Sequence, residues 1–541
     1  MPSTYSPDVR EREDASPAWR PRWTALLLLA ILAASTALRF WALDFGGGVP
    51  MARPDELAAT AFATSYGDAP SSSPSSSFIS ILGGLLLQWG GGYLFPLLAF
   101  VRGGAWLLWG RSAVEQAALD PASVTVLARA WSALLAVATV AVVFSAARRI
   151  SGIRAALIAA GIVACAPLAV REAHFAKADS AASFVASLVA LAVIRPWRSS
   201  ARRAVAIGAV AGLALSTKLL VSLLPGVLLA LWESPQRAGR LRSAALALLT
   251  AALVTVALNP FALGSPATMV GTLLSLARML KAEPWVGHDA VAPAWLYYPD
   301  VALRHGVGLG PALLSLPALA LGVAKRGPTR WLALMVLAHL AVLATQGLLC
   351  ARFILPALPG LAVLVGALSV EAIDRVARTP RVRALATAAV ALALVAGPAS
   401  TSITLVRLLS RADTRALASE WIEKNLSPDA RVAVFGAPAF WTPFVYPDLR
   451  GRAKLREIDR ARWEQERVDY VLLASYPMPY GSGRLPPRDG LELLAVFDPF
   501  AGPTAEPVLE PMDAFFLPLA HFAGVARPGP RIELYRRTRD H

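Results

Sequence analysis

WTALLLLAILAASTALRFWALDFGGGVPMARPDE, residues 23–56, is the stretch on which the fold turns. Its first part, about Trp23 to Leu43, supplies the roughly 20 apolar positions that an α-helix needs to cross hydrocarbon. It is longer than the apolar region of a secretion signal and lacks a convincing cleavage site, so it is expected to remain as a span. Two adjacent carboxylates, Asp55 and Glu56, follow almost at once. Pro54 before them favours an extended or turn conformation over a continued helix, which predicts that the acids stand on a loop at the membrane surface. Acids so placed suit chemistry on a lipid head group.

The rest of the chain agrees with a membrane setting. It has 541 residues, 56% of them hydrophobic and 16% charged, with a mean hydropathy of +0.53. Those values fit a polytopic membrane protein and not a soluble enzyme. Much of the formal net charge of +16 lies in short basic clusters between apolar segments, which read as topology signals. No basic stripe with interleaved aromatics occurs in the polar regions, so nucleic acid is not an expected partner. Cys165 and Cys350 give neither a disulfide framework nor metal-ligand spacing.

Apolar stretches at about 23–43, 123–147, 155–171, 179–194, 204–216, 219–232, 243–259, 306–324, 331–347, 353–370 and 383–407 predict an all-α body of about eleven transmembrane helices. Basic clusters at 147–154, 195–203, 236–242, 325–330 and 374–383 occupy every second connection, as the positive-inside rule expects of cytoplasmic loops. Residues 1–22 then form a cytoplasmic tail, 23–408 the membrane body, and about 44–122 a long first external loop. Residues 78–109 are also apolar. A single pass there would turn all five basic connections outward, so this segment is expected to be interfacial, re-entrant or crossed an even number of times. The Ser-rich tract 71–77 reads as a surface connection.

From about 409 to 541 the apolar runs become shorter and charge rises. The pattern predicts a helix at 414–426 and strands at 431–436, 468–475, 491–497 and 531–537, a small soluble α/β domain on the same external side as Asp55.

Four further external connections carry candidate chemistry. Residues 171–179 place Arg171, Glu172, His174, Lys177 and Asp179 between two apolar segments. A charge at mid-bilayer costs about 2.5–3.5 kcal/mol on insertion scales, so such a cluster is interfacial, with snorkelling side chains, or functional. Lys218, behind Ser216 and Thr217, is the one charge between Ala204 and Trp232 in a chain with six lysines and forty-six arginines. An ammonium beside two hydroxyls suits a lipid-linked phosphate, and a lysine snorkelling from a helix end is the plainer alternative. Asn259-Pro260 opens a connection to about 305 that contains Lys281, Glu283, Trp285, His288, Asp289, Trp295, Tyr297 and Tyr298. Its aromatics fit an interfacial belt, while its His and carboxylates permit acid/base work or a metal site without a spacing that favours either. Arg352 would also face outward, where a guanidinium can grip phosphate through two parallel hydrogen bonds, although taken alone such an arginine is more often a helix-end anchor.

In this order and on one face, the motifs resemble the GT-C superfamily of polyprenyl-phosphate-sugar glycosyltransferases, in particular bacterial relatives of protein O-mannosyltransferases and aminoarabinose transferases. The resemblance covers about residues 23–410. The family's acidic His-Pro-Asp-Glu motif stands here as Arg53-Pro54-Asp55-Glu56, and its His-Tyr-Ala-x-x-Asp pattern as His174-Phe175-Ala176-Lys177-Ala178-Asp179. Further likenesses are Gly212 to Lys218, Asn259-Pro260, Trp295 to Tyr298 and Arg352 to Pro356. Arg53 replaces the family's usual His, and Lys177-Ala178 stands where a Thr usually precedes the second acid.

The resemblance implies a membrane enzyme that moves a sugar from a polyprenyl-phosphate donor to a hydroxyl of a lipid, glycan or protein acceptor on the outer face of the cytoplasmic membrane. It implies Asp55 as general base with Glu56 beside it. Arg53, His174, Lys177, Asp179, Lys218, Asn259, His288, Tyr297 and Arg352 would bind the donor phosphate or substrate, and direct displacement would invert the anomeric carbon. No Gly-rich phosphate loop is visible, in keeping with a lipid donor and no nucleotide cofactor. Some relatives bind a divalent ion, for which Glu56, His174 and His288 are the candidate ligands. A transporter or flippase of lipid-linked sugars is the alternative, but the chain lacks the corresponding halves that repeat symmetry gives transporters. A third reading, a membrane scaffold for polysaccharide assembly, would leave Asp55 dispensable.

Overall fold

The structure is a computed structural model that describes residues 21–46, 54–65, 89–197, 199–218, 220–233, 239–260, 266–281, 293–435, 454–457, 468–476, 490–502, 506–510 and 516–538. Arg53, the Ser-rich tract and His288 lie outside the described residues. The first span is helix α1, Pro21–Phe40. Helix α2, Pro54–Ser65, starts at the acidic motif, so Asp55 and Glu56 stand in the first turn of a helix and not on a loop as expected. The reason is local. Proline is well suited to the first helical position, where its missing N–H is not needed, and the helix N-terminus favours acids. Helices α3, Gly91–Trp109, and α4, Ala113–Leu119, follow.

Next comes α5, a helical run of 45 residues from Pro121 to Cys165. Unbroken, it would be about 67 Å long. Yet Arg129 near its start donates to the carbonyls of Leu43 and Phe45, while Val163 and Ala164 near its end accept from Arg39. Both ends therefore lie beside the end of α1, and the chain must reverse between them. It does so at Ser151 and Gly152, whose backbone is non-helical and whose Gly152 has φ +80°. The first arm covers the apolar stretch at 123–147, the second covers only the part of the stretch at 155–171 up to Cys165, and the reversal falls in the first basic cluster.

A second break shows how buried polar groups are satisfied. Helix α6, Pro167–Ala173, begins after an extended Ala166. Pro167 has no N–H, and the N–H of Leu168 turns to Gly306, so the last carbonyls of α5 lose their helical partners. The fully buried Arg39 donates to Val163 and Ala164, and the Ser402 hydroxyl donates to Cys165.

The body continues through α7 (Ala178–Ile194), α8 (Ser200–Leu215), α9 (Leu224–Trp232), α10 (Arg240–Leu258), α11 (Pro266–Lys281), α12 (Leu309–Ala324), α13 (Pro328–Ala344), α14 (Leu358–Val376) and α15 (Pro380–Leu409). The described residues of all five basic clusters fall at turns between helices or at helix ends. Small residues let α5 and α14 approach closely: a Cβ on Gly366 would stand 2.6 Å from the Ala155 carbonyl oxygen. Outward faces are apolar, with Leu107, Leu241, Leu253 and Leu385 all exposed. Five described helices are long and apolar enough to cross a membrane, and four more apolar helices are shorter. The count of eleven thus remains a reading of the sequence.

Beyond α15, helix α16 (Thr414–Asn425) packs on a sheet of β1 (Arg431–Phe435), β2 (Lys454–Glu457), β3 (Tyr470–Ser475), β4 (Leu491–Phe497) and β5 (Arg531–Arg537). The order is β2-β1-β3-β5-β4, with β1 parallel to β2 and β3, and β5 antiparallel to β3 and β4. Ala418, Ile422, Val432, Leu472, Ile532 and Leu534 form its core. The expected helix and four strands are found within two residues at each end. Strand β2, a short and charged KLRE at the sheet edge, gave no apolar run to recognise.

Candidate active site

Connections far apart in sequence meet at one cavity of about 420 Å³. Asp55 enters from the first turn of α2 and Asp179 from the first turn of α7, positions where the helix dipole favours a carboxylate. Lys177 precedes α7 in extended conformation, and its Nζ stands 2.5 Å from Asp55 Oδ2. Lys218 Nζ stands 2.5 Å from Asp179 Oδ1, and Arg352 Nε 3.7 Å from Asp179 Oδ2. Three cations thus face two carboxylates. Lys218 and Arg352 also lie 5.2 and 5.4 Å from the Phe353 ring centroid, within cation–π range. Burial pushes the Lys218 ammonium below the usual lysine range while Asp179 pulls it back, and a second anion in the cavity would strengthen that pull. Trp89, Ser222, His339, Gln346 and a set of Leu and Val side chains complete the wall.

The turn that carries Lys218 is built for its task. Lys218 has φ +56°, a left-handed conformation that costs a non-glycine residue on the order of 1–2 kcal/mol. Backbone contacts with the start of α3 hold it there: the Lys218 N–H donates to Trp89 O, and the Gly92 N–H to Ser216 O. Gly90 permits this approach, because a Cβ there would sit 1.9 Å from the Ser216 carbonyl oxygen. Asn259 ties the corner together. Its Oδ1 accepts from the Gly91 N–H at 3.0 Å, and its Nδ2 donates to Ser216 Oγ and Thr255 O. Gly104, toward the other end of α3, abuts Leu127 near the start of α5.

Asn259 thus stands behind Lys218 as a support: it does not line the cavity, and both amide hydrogens and one lone pair of its oxygen are taken by the protein. Glu56 departs from expectation in the same way. It is fully buried, its two oxygens accept from Arg129 Nε and Nη2 at 2.8 and 2.9 Å, and Oε1 also accepts from the Ala176 N–H. His174 is buried too, with Nδ1 on Val170 O and Nε2 on Trp41 O. Neither lines the cavity, and among the described residues no three metal-binding side chains converge. Tyr297 is buried against Tyr298 and does not line the cavity. The structure brings together Asp55, Lys177, Asp179, Lys218 and Arg352, and sets Glu56, His174, Asn259 and Tyr297 behind them.

Sequence reasoning missed Arg129, Ser222, His339 and Glu510. Arg129 had a signal, a lone charge inside an apolar run, which in a membrane marks a paired or functional group. His339, inside α13, had the same kind of signal; its Nδ1 lies 2.7 Å from Ser222 Oγ at the cavity wall and its Nε2 lies 2.8 Å from Phe353 O. Glu510 had none, for it lies in the C-terminal unit among residues without periodicity.

The sequence model of the family described as dolichyl-phosphate-mannose-protein mannosyltransferase matches residues 104–263, a stretch that includes Arg129, Lys177, Asp179, Lys218 and Asn259. No curated protein matches the chain's sequence. Among solved structures, ArnT from Cupriavidus metallidurans in the apo state aligns with a TM-score of 0.52 at 18% identity, over 84% of this chain and 93% of that one. The same protein bound to undecaprenyl phosphate aligns with a TM-score of 0.50 at 16% identity, over 94% and 97%. The apo oligosaccharyltransferase of Archaeoglobus fulgidus aligns with a TM-score of 0.54 at 13% identity, over 84% and 69%. Identities this low show a shared fold. The resemblance read from the motifs holds in this family match and this fold, and the enzyme class it implied, a glycosyltransferase, stands with it.

Proposed function

We propose that the chain moves a sugar from a polyprenyl-phosphate donor to an acceptor hydroxyl at the outer face of the cytoplasmic membrane, with inversion. The observation that carries this reading is the single cavity in which three cations face two carboxylates beside an apolar wall. That leaves one net positive charge for a phosphate and apolar surface for the isoprenoid behind it. The undecaprenyl phosphate bound to ArnT, a protein of similar fold, supports this donor class.

Asp55 takes the proton of the acceptor hydroxyl as its oxygen attacks the anomeric carbon and the bond from that carbon to the phosphate oxygen breaks. Lys177 keeps Asp55 ionised before the reaction. Negative charge then grows on the departing phosphate, where Lys218, Arg352 and Lys177 stabilise it. Residues 23–408 form the catalytic body, with eleven spans and a cytoplasmic N-terminus, and 409–541 lie outside with Asp55. In this reading residues 78–109 are interfacial, re-entrant or crossed an even number of times, although α3 alone is long and apolar enough for one crossing. No observation favours a transporter, and the family match and the solved neighbours are transferases.

Asp55→Asn tests the reading. The variant, purified in detergent with unchanged melting, is expected to transfer sugar from a synthetic polyprenyl-phosphate donor about 10²- to 10⁴-fold more slowly. Wild-type rates would remove Asp55 as the base. Mass spectrometry of envelope lipids, glycans and glycoproteins with and without the gene would identify the acceptor.

A further inference from the structure

Glu510 belongs to none of the helices that build the cavity. It lies between β4 and β5 of the C-terminal unit, yet it is fully buried against the membrane body. Its carboxylate accepts from the backbone N–H of Ala351 and pairs with the Arg171 guanidinium, which also contacts Glu172 Oε1 at 2.8 Å. Each partner leads directly to the site. Ala351 opens the short 3₁₀ turn Ala351–Ile354 that carries Arg352, and Arg171 begins the connection that ends in Lys177 and Asp179. One carboxylate therefore clamps the two segments whose side chains meet as Arg352 and Asp179.

Packing fixes the clamp from both sides. The segment after Glu510 places Leu517 among Phe45, Val170, Phe175 and Leu405, and Leu519 in the main apolar core. The N–H of Leu519 returns to Val508 O, which holds the strand of chain on which Glu510 stands. The first N–H groups of a helical turn have no partner within it, so a carboxylate accepting from Ala351 anchors the turn at its free end.

We infer that Glu510 is a positioning residue that sets Arg352 against Asp179, so that the C-terminal unit completes the donor-phosphate site. The inference rests on the proposed role of Arg352 toward a lipid phosphate. A residue that only fastens the C-terminal unit to the body would change melting alone; a positioning residue also changes the affinity for the phosphate and the mobility of the 351–354 turn.

The test uses the full chain in detergent, undecaprenyl phosphate as probe, and two variants, Glu510→Gln and Arg352→Ala. Glu510→Gln keeps shape and loses charge. It is expected to bind the probe about tenfold more weakly, as losing a hydrogen bond to a charged group predicts. Arg171 keeps Glu172 as a partner, so the variant is expected to fold with a lowered melting midpoint, and amide hydrogen exchange in residues 351–354 should become faster well below that midpoint. Wild-type affinity in Glu510→Gln beside weak binding in Arg352→Ala overturns the inference, whatever the exchange shows. Wild-type affinity in Arg352→Ala removes the lipid-phosphate reading instead, and exchange at 351–354 alone then decides whether Glu510 sets the turn. If Glu510→Gln loses its cooperative melt, Glu510→Asp, which keeps the charge but falls one methylene short, supplies the same readouts.

Discussion

Asp55 and Glu56 are neighbours in sequence with different work. Asp55 keeps a partly exposed carboxylate at the cavity, whereas Glu56 turns inward to Arg129, whose guanidinium also lies 4.0 Å above the Phe45 ring. Removing one partner of a buried ion pair leaves the other charge uncompensated, at a cost of about 3–5 kcal/mol. Arg129→Ala is therefore expected to lower thermal stability by about that amount, as measured by melting in detergent; an unchanged midpoint would show that the pair is not needed for folding. At this scale the sequence revealed which residue types matter but not how they divide the work. The motif marks both acids alike, and only the direction of the α2 helix decides that one faces the cavity and the other faces α5.

Helices were legible where charge or glycine punctuated the apolar runs. The reversal at Ser151-Gly152 sits inside a basic cluster that announced it, and the C-terminal strands followed from alternating apolar runs. The start of α2 was misread, because proline signals both a turn and a helix beginning and only the following contacts choose between them. The corner at Gly90 was not foreseen either, since Gly90 answers to the backbone of Ser216, 126 residues away. Gly90→Ala combines a φ of +75° with a Cβ 1.9 Å from Ser216 O. Strain of this kind costs on the order of 1–3 kcal/mol, so the variant should melt lower and lose activity through displacement of Lys218. Gly103→Ala, with open space around it in the same helix, is the control and should melt at or above the wild-type temperature.

Over the whole molecule, the alternation of basic connections predicts which side each loop faces. Cys165 and Cys350 are both buried, so single cysteines introduced on the surface report with little background. An impermeant maleimide added to intact cells whose outer barrier has been opened is expected to label Glu423→Cys in the C-terminal unit and not Arg326→Cys between α12 and α13. Labelling of both from one side would break the proposed topology. Arg39 carries a different consequence, one of timing. It belongs to α1, and the carbonyls that receive its guanidinium lie 124 and 125 residues later in the chain. At about 5–20 residues per second, the ribosome needs roughly 6 to 25 s to deliver them. During that interval α1 carries an arginine without the two carbonyl partners it has in the folded chain, until the second arm of α5 arrives to take it in.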